Sequence, residues 1–200
     1  MKKLLEGVYQ ITEEGARTYL LRTRSGNILI DTPSLLAESV DAVQALGGAQ
    51  ILFITHRDAV GDACAWKEEF GVQIAMQTDD AFYVLDCEVD RELEHEDWLT
   101  AETQLIHVPG HSPGNSALLF TGQHGILFAG DSVAVEPNGT LSLPPARFST
   151  DPIEASDSIQ SLLDYRFTTI LPAHGEPILT GGKQALEILV AKLRERAREN

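Results

Sequence analysis

Four short apolar runs in this chain each lead to a histidine or an aspartate on a turn, and this arrangement constrains the fold more than any other feature. Ile51-Leu52-Phe53-Ile54-Thr55 runs into His56-Arg57-Asp58-Ala59-Val60-Gly61-Asp62. The stretch Gln104 to Val108 runs into Pro109-Gly110-His111-Ser112-Pro113-Gly114-Asn115. Gly125 to Ala129 runs into Gly130-Asp131-Ser132, and Thr169-Ile170-Leu171 into Pro172-Ala173-His174-Gly175. Runs of this length, bounded by Gly and Pro, read as buried strands. Strand ends are rigid, so the loops that leave them can converge on one point. Imidazole and carboxylate groups are ligands for zinc, iron or manganese. One such junction is weak evidence of a site; four in this order predict a single one.

The rest of the pattern alternates. Gly7 to Ile11, Arg17 to Thr23 and Ile28 to Ile30 read as strands. Leu35 to Leu46 has helical spacing, with Ser34 as its expected cap and Gly47-Gly48 as its stop. A second helix ends near Phe70-Gly71, followed by a strand from Val72 to Met76. Thr78 to Trp98 is acidic and is expected to hold a helix and a loop. Ser116 to Thr121 reads as a strand, and Glu136 to Pro152 as a long loop over a site. Helices are expected over about Ile153 to Tyr165 and Gly182 to Arg198. No linker or repeat divides the 200 residues, so one domain over 1–200 is expected. The fold expected is α+β: two mixed sheets face to face with helices outside, an αββα sandwich.

The formal net charge of −15 argues against nucleic acid and against anionic membrane surfaces. Glu6 and Gly7 cut short the apolar stretch after Lys2-Lys3, which argues against a signal peptide. No run approaches the roughly 20 apolar residues of a membrane span. The location expected is the cytoplasm, and the partner expected is a small-molecule substrate. Cys64 and Cys87 form no C-x-x-C pair and are expected to be reduced and packed. His95, His107 and His124 lie in no strand-end context and read as surface or packed residues.

The chain resembles the metallo-β-lactamase superfamily along nearly its whole length. The resemblance rests on Ile30-Asp31-Thr32, Thr55-His56, Pro109-Gly110-His111-Ser112-Pro113-Gly114, Gly130-Asp131 and Pro172-Ala173-His174-Gly175. It implies an αββα sandwich with a one- or two-metal site along one edge. The family run P-G-H-T-P-G-H is present with Ser112 for its Thr and Asn115 for its last His. Asp131 matches the family Asp that bridges two metals, and His174 the last family His.

The first motif departs from the family pattern His-x-His-x-Asp-His. His56 keeps the first His, but Asp58 stands at the second, Val60 at the Asp and Gly61 at the final His. The resemblance therefore implies one divalent ion, zinc ahead of iron. It would be held by His56, His111 and Asp131, with Asp58 or His174 as a further ligand or outer partner. Asp62 is the candidate general base in place of the missing Asp, set against a purely helix-terminal role. Arg57 and Arg147 are candidates for meeting an anionic substrate. Asp31 is expected to be structural. Three functions stay open: a metal-dependent hydrolase of a small ester, thioester, lactone or amide; a mononuclear non-haem iron oxidoreductase or dioxygenase; and a non-catalytic binding protein of the same fold.

Overall fold

The computed structural model describes residues 1–11 and 15–199. One sheet orders seven strands as they occur in the chain: β1 (Lys2–Leu5), β2 (Val8–Gln10), β3 (Tyr19–Thr23), β4 (Gly26–Ile30), β5 (Ile51–Ile54), β6 (Gln73–Gln77) and β7 (Arg91–Leu93). The pairs from β1 to β4 are antiparallel, and those from β4 to β7 parallel. The second sheet holds β8 (Trp98–Thr100), β9 (Thr103–His107), β10 (Ser116–Phe120), β11 (Ile126–Val135) and β12 (Leu141–Ser142). Its last member, β13 (Thr169–His174), pairs in parallel with β11. Five α-helices complete the fold: α1 (Ala37–Ala45), α2 (Ala63–Phe70), α3 (Thr78–Ala81), α4 (Pro152–Ser158) and α5 (Gly182–Glu199).

Period-two alternation explains the layers. Tyr19, Leu21, Ile28, Ile30 and Phe53 point inward and meet Leu105, Leu118, Phe128 and Leu171 of the facing sheet. The residues between them, Leu20, Leu29, Leu52 and Ile54, point outward onto Val43 and Trp66 of α1 and α2. On the far side Ile106, Ala117, Leu119 and Leu127 meet Leu186, Leu189 and Val190 of α5. Both faces of each sheet are covered, which is why the central strands read as continuous apolar runs. This is the expected α+β sandwich of two mixed sheets flanked by helices.

Local differences have physical causes. The first helix begins at Ala37, and its cap is Leu36, not Ser34. The preceding segment is held outside the helix by tertiary bonds: Asp62 Oδ2 accepts the Leu35 N–H at 2.9 Å, and Pro33 O accepts the Trp66 indole N–H at 2.6 Å. The helix expected over Ile153 to Tyr165 is α4 followed by a 3-10 stretch, Ile159–Asp164. Strands β1, β7 and β8 are not predicted by the sequence, nor is β12, which lies inside the loop expected over Glu136 to Pro152. Each is two to four residues long, too short for apolar periodicity to show.

The cysteines are paired, which corrects the expectation of reduced thiols. Cys64 and Cys87 form a disulfide with Cα atoms 5.6 Å apart, closing a separation of 23 residues. It ties the first turn of α2 to the segment between α3 and β7, where Lys67 Nζ also bonds Asp90 at 2.7 Å. Twenty-three residues of sequence hid a proximity that β5–β6 pairing creates. The link sits at odds with the expected cytoplasmic location, because disulfides are rare in reducing compartments. Among the described residues no helix is long and apolar enough to cross a membrane. The Cys64→Ser/Cys87→Ser double variant is expected to lose about 3 kcal/mol of stability in urea unfolding, from the freed loop entropy of the unfolded chain. Added reductant is expected to lower the parent's midpoint and leave the variant's unchanged.

Candidate metal centre

The predicted ligands converge at one edge of the sandwich. His56 Nε2 and His111 Nε2 each lie 3.5 Å from Asp131 Oδ2. His174 Nε2 lies 3.5 Å from Asp131 Oδ1. Asp58 Oδ2 lies 3.6 Å from His111 Nε2, and the donor atoms of His56, Asp58 and His111 lie within 4.8 Å of one another. His56, His111 and Asp131 are buried, while Asp58 (66% exposed) and His174 (55%) stand at the mouth.

Each residue is delivered by a local device. His56 follows β5, and Arg57–Ala59 forms a 3-10 turn that swings Asp58 back toward His111. Strand β11 does not stop at Ala129 as expected; it runs through Asp131 to Val135, and its register against β13 shifts around Gly130. Gly130 has φ +49°, and a Cβ there would lie 2.3 Å from Thr55 Oγ1. Only glycine lets the strand kink this close to β5, and the kink turns Asp131 into the group of histidines. His111 sits in a turn whose Gly110 has φ +122° and whose Cβ would lie 2.1 Å from Ala155 N.

A buried relay sets His56. Thr55 Oγ1 donates to Asp31 Oδ1 at 2.8 Å, and its single proton is thereby used. The contact of 2.9 Å between Thr55 Oγ1 and His56 Nδ1 is then a bond from the ring N–H to the hydroxyl. That leaves the Nε2 lone pair facing Asp131 and the other donors, as a ligating imidazole requires. Burial, and secondarily His111, pushes the His56 imidazole down to about 3, so the ring is neutral. Burial pushes the Asp31 carboxyl up to about 7, against the opposing pull of two hydrogen bonds from Thr55. Asp31 has the structural role expected of it, at φ +58°, and also lines the cleft.

The group fits a divalent cation. His111 Nδ1 and Nε2 and Asp131 Oδ1 are buried with no hydrogen-bond partner. Buried polar atoms are seldom left so. Donors about 2.1 Å from an ion at the tetrahedral angle lie about 3.4 Å apart, close to the separations found here and too long for direct hydrogen bonds. At Val60 and Gly61 no side chain supplies a donor; Gly61 only lines the cleft.

Asp62 does not join the group. Its exposed carboxylate caps the segment before α1 through the Leu35 N–H. Arg57 is likewise engaged, donating to Tyr83 Oη at 2.7 Å and Thr150 Oγ1 at 2.9 Å. The guanidinium of Arg147 lies over the Phe148 ring at 4.5 Å. Asn115, at the family's last His, donates to Val108 O and Ser132 Oγ and braces the turn. His95, His107 and His124 lie outside the centre; His107 Nε2 contacts Pro113 O at 2.7 Å.

Sequence reading missed Asp80. Its fully buried carboxylate accepts the Arg57 N–H at 2.9 Å, the Gly114 N–H at 3.0 Å and the Ser112 hydroxyl. It therefore fastens the His56–Asp58 turn to the His111 turn. The available signal was a carboxylate just past the apolar strand β6, the same strand-end rule that found the others, concealed by an acidic surrounding.

A cleft of about 410 Å³ opens on the group, lined by Gly15, Asp31, Thr32, Ser34, Asp58 and His174 among others. Comparison with known proteins agrees with this geometry. The family model described as metallo-beta-lactamase superfamily matches residues 16–193. The beta-lactamase-like protein 2 homolog of Drosophila melanogaster is 27% identical over an aligned length of 191, and the match covers 84% of this chain and 61% of that protein. The chain thus spans under two thirds of that relative's length. Among solved structures, a metallo-beta-lactamase motif mutant from Cronobacter sakazakii superposes with a TM-score of 0.73 at 19% identity, over 98% of this chain and 94% of its own. The FEZ-1 metallo-beta-lactamase of Legionella gormanii gives 0.70 at 18%, over 96% and 93%. With the family model covering nearly all of it and the same sandwich beneath its site, the chain belongs to the metallo-β-lactamase superfamily.

Proposed function

We propose that the protein is a metal-dependent hydrolase of a small ester, thioester, lactone or amide, working with one divalent ion, zinc ahead of iron. The observation that carries this reading is the convergence of His56, Asp58, His111 and Asp131, with His174 beside them, on an open cleft. A bound divalent ion supplies Lewis acidity, polarising a carbonyl and lowering the pKa of water. His56, His111 and Asp131 would hold it, which leaves a position open for water, and His174 stands at the free oxygen of Asp131. A single ion is favoured because only Asp131 and His174 remain where a second would bind.

The chain's own groups supply the rest. The exposed carboxylate of Asp58 stands at the mouth, where it takes a proton from attacking water; Asp62, bonded to Leu35, is not placed for that work. Thr32 and Ser34 line the cleft beside Asp58. Burial of His56 and His111 excludes water from the inner side of the group.

Elemental analysis of protein purified without added metal is the first test, beside His111→Ala. About one zinc per chain, lost in the variant, together with hydrolysis in a screen of esters, thioesters and a β-lactam, supports the reading. The β-lactam belongs in the screen because the structural neighbours are metallo-β-lactamases, one of them a di-zinc enzyme from a soil metagenome. Iron instead would direct the search to oxygen chemistry. No metal after reconstitution would sink the hydrolase and favour a binding protein.

A further inference from the structure

The centre faces two clefts of opposite character. The first, of about 410 Å³, is lined by Asp31, Thr32, Ser34 and Asp58 among others. The second, of about 360 Å³, shares Asp58, Asp131 and His174 with it on the near side and adds His111. Its far wall is Ala134, Pro144, Pro145 and Phe148. No side chain of that wall carries a hydrogen-bonding group, and the two prolines lack even a backbone donor. Phe148 is 57% exposed. The wall is anchored to the centre. Thr150 N–H donates to His111 O at 2.9 Å and Asp151 N–H to Gly110 O at 2.8 Å. Pro145 O accepts the Phe148 N–H at 2.8 Å, which closes the turn that presents the ring. Two prolines and three such bonds leave the wall little freedom to lose on binding.

We propose that this second cleft receives the acyl chain of the substrate, making the substrate class an apolar acyl ester or thioester with its polar leaving group on the Thr32–Ser34 side. The inference rests on the hydrolase reading. Water adds to the acyl carbon as the bond to the leaving oxygen or sulfur breaks. The leaving group takes a proton and departs through the polar cleft. The carboxylic acid retains its chain against Phe148. Each methylene moved from water to an apolar wall favours binding by about fourfold when fully buried. Covering Phe148 also removes exposed aromatic surface on the side of the ring that the Arg147 guanidinium does not cover.

Calorimetric titration of the zinc-loaded protein with acetate, butyrate and hexanoate tests this through the product acids, without turnover. Affinity is expected to rise at least about tenfold from acetate to hexanoate, since partial burial of four methylenes reaches that. Phe148→Ala, which removes the wall, and Ala134→Leu, which fills the cleft, are each expected to flatten the rise. Thermal unfolding of both confirms that they fold. Equal or undetectable binding of the three acids by the parent overturns the proposal, as does a rise that survives both substitutions. A chain-length rise with no ester hydrolysed supports the acyl cleft and sinks the hydrolase; hydrolysis of short esters with flat binding does the reverse.

Discussion

Asp131→Asn is expected to lose metal affinity by more than about a hundredfold while the metal-free protein unfolds at an unchanged or higher temperature. Three imidazoles look at this one carboxylate: His56 and His111 at Oδ2 and His174 at Oδ1, each at 3.5 Å. Outer partners of metal ligands are worth 10–100-fold in affinity, and a group in direct contact is worth more. The amide keeps the shape but not the charge, and its NH₂ is a donor where a cation needs a lone pair. Stability is expected to hold because Asp131 Oδ1 has no hydrogen-bond partner to forfeit. Competition titration with a chromophoric chelator and scanning calorimetry of the stripped proteins give the two readouts. Parent-like zinc affinity in the variant would remove Asp131 from the ligand set. A collapse of the stripped protein would make its role structural.

Asp80→Ala is expected to cost about 4 kcal/mol of stability and, in the protein that still folds, to weaken metal binding by about tenfold or more. The alanine leaves three buried donors, Arg57 N–H, Gly114 N–H and Ser112 Oγ–H, without an acceptor. Each costs roughly 1–3 kcal/mol when unsatisfied. Arg57 lies beside His56 and Asp58, and Ser112 beside His111, so the two ligand-bearing turns lose their common fastening. Asp80→Asn keeps an oxygen for Gly114 but turns an amino group toward the other donors, and is expected to be milder in both respects. Chelator titration of the asparagine variant separates positioning from folding. If its stability falls while its zinc affinity stays at the parent level, Asp80 is a fold residue only.

How far the sequence led depended on the range of the forces involved. The buried strands and most helices were legible because burial imposes a local period. Ile51 to Ile54, covered on both faces, could only be a core strand. The candidate ligands were legible because His56, His111, Asp131 and His174 stand at strand ends or next to glycine and proline turns, and those residues mark backbone geometry directly. Asp58 was legible only as an exception to a pattern. Asp62 was placed beside it by spacing, but the Leu35 N–H reached its carboxylate first. Spacing of four residues cannot see a partner 27 positions away.

By itself, then, the sequence determined the α+β sandwich, the order of its central strands and main helices and the candidate cation ligands, all consequences of local periodicity and turn chemistry. Tertiary structure alone decided what those residues meet. It continued β11 through Asp131, because Gly130 can kink against Thr55 and no other residue can. It joined Cys64 to Cys87 across the gap that β5 and β6 close. It buried Asp80 between two turns, within an acidic stretch where only a helix and a loop were expected. Each of these depends on a neighbour distant in the chain, and no local period records such a neighbour.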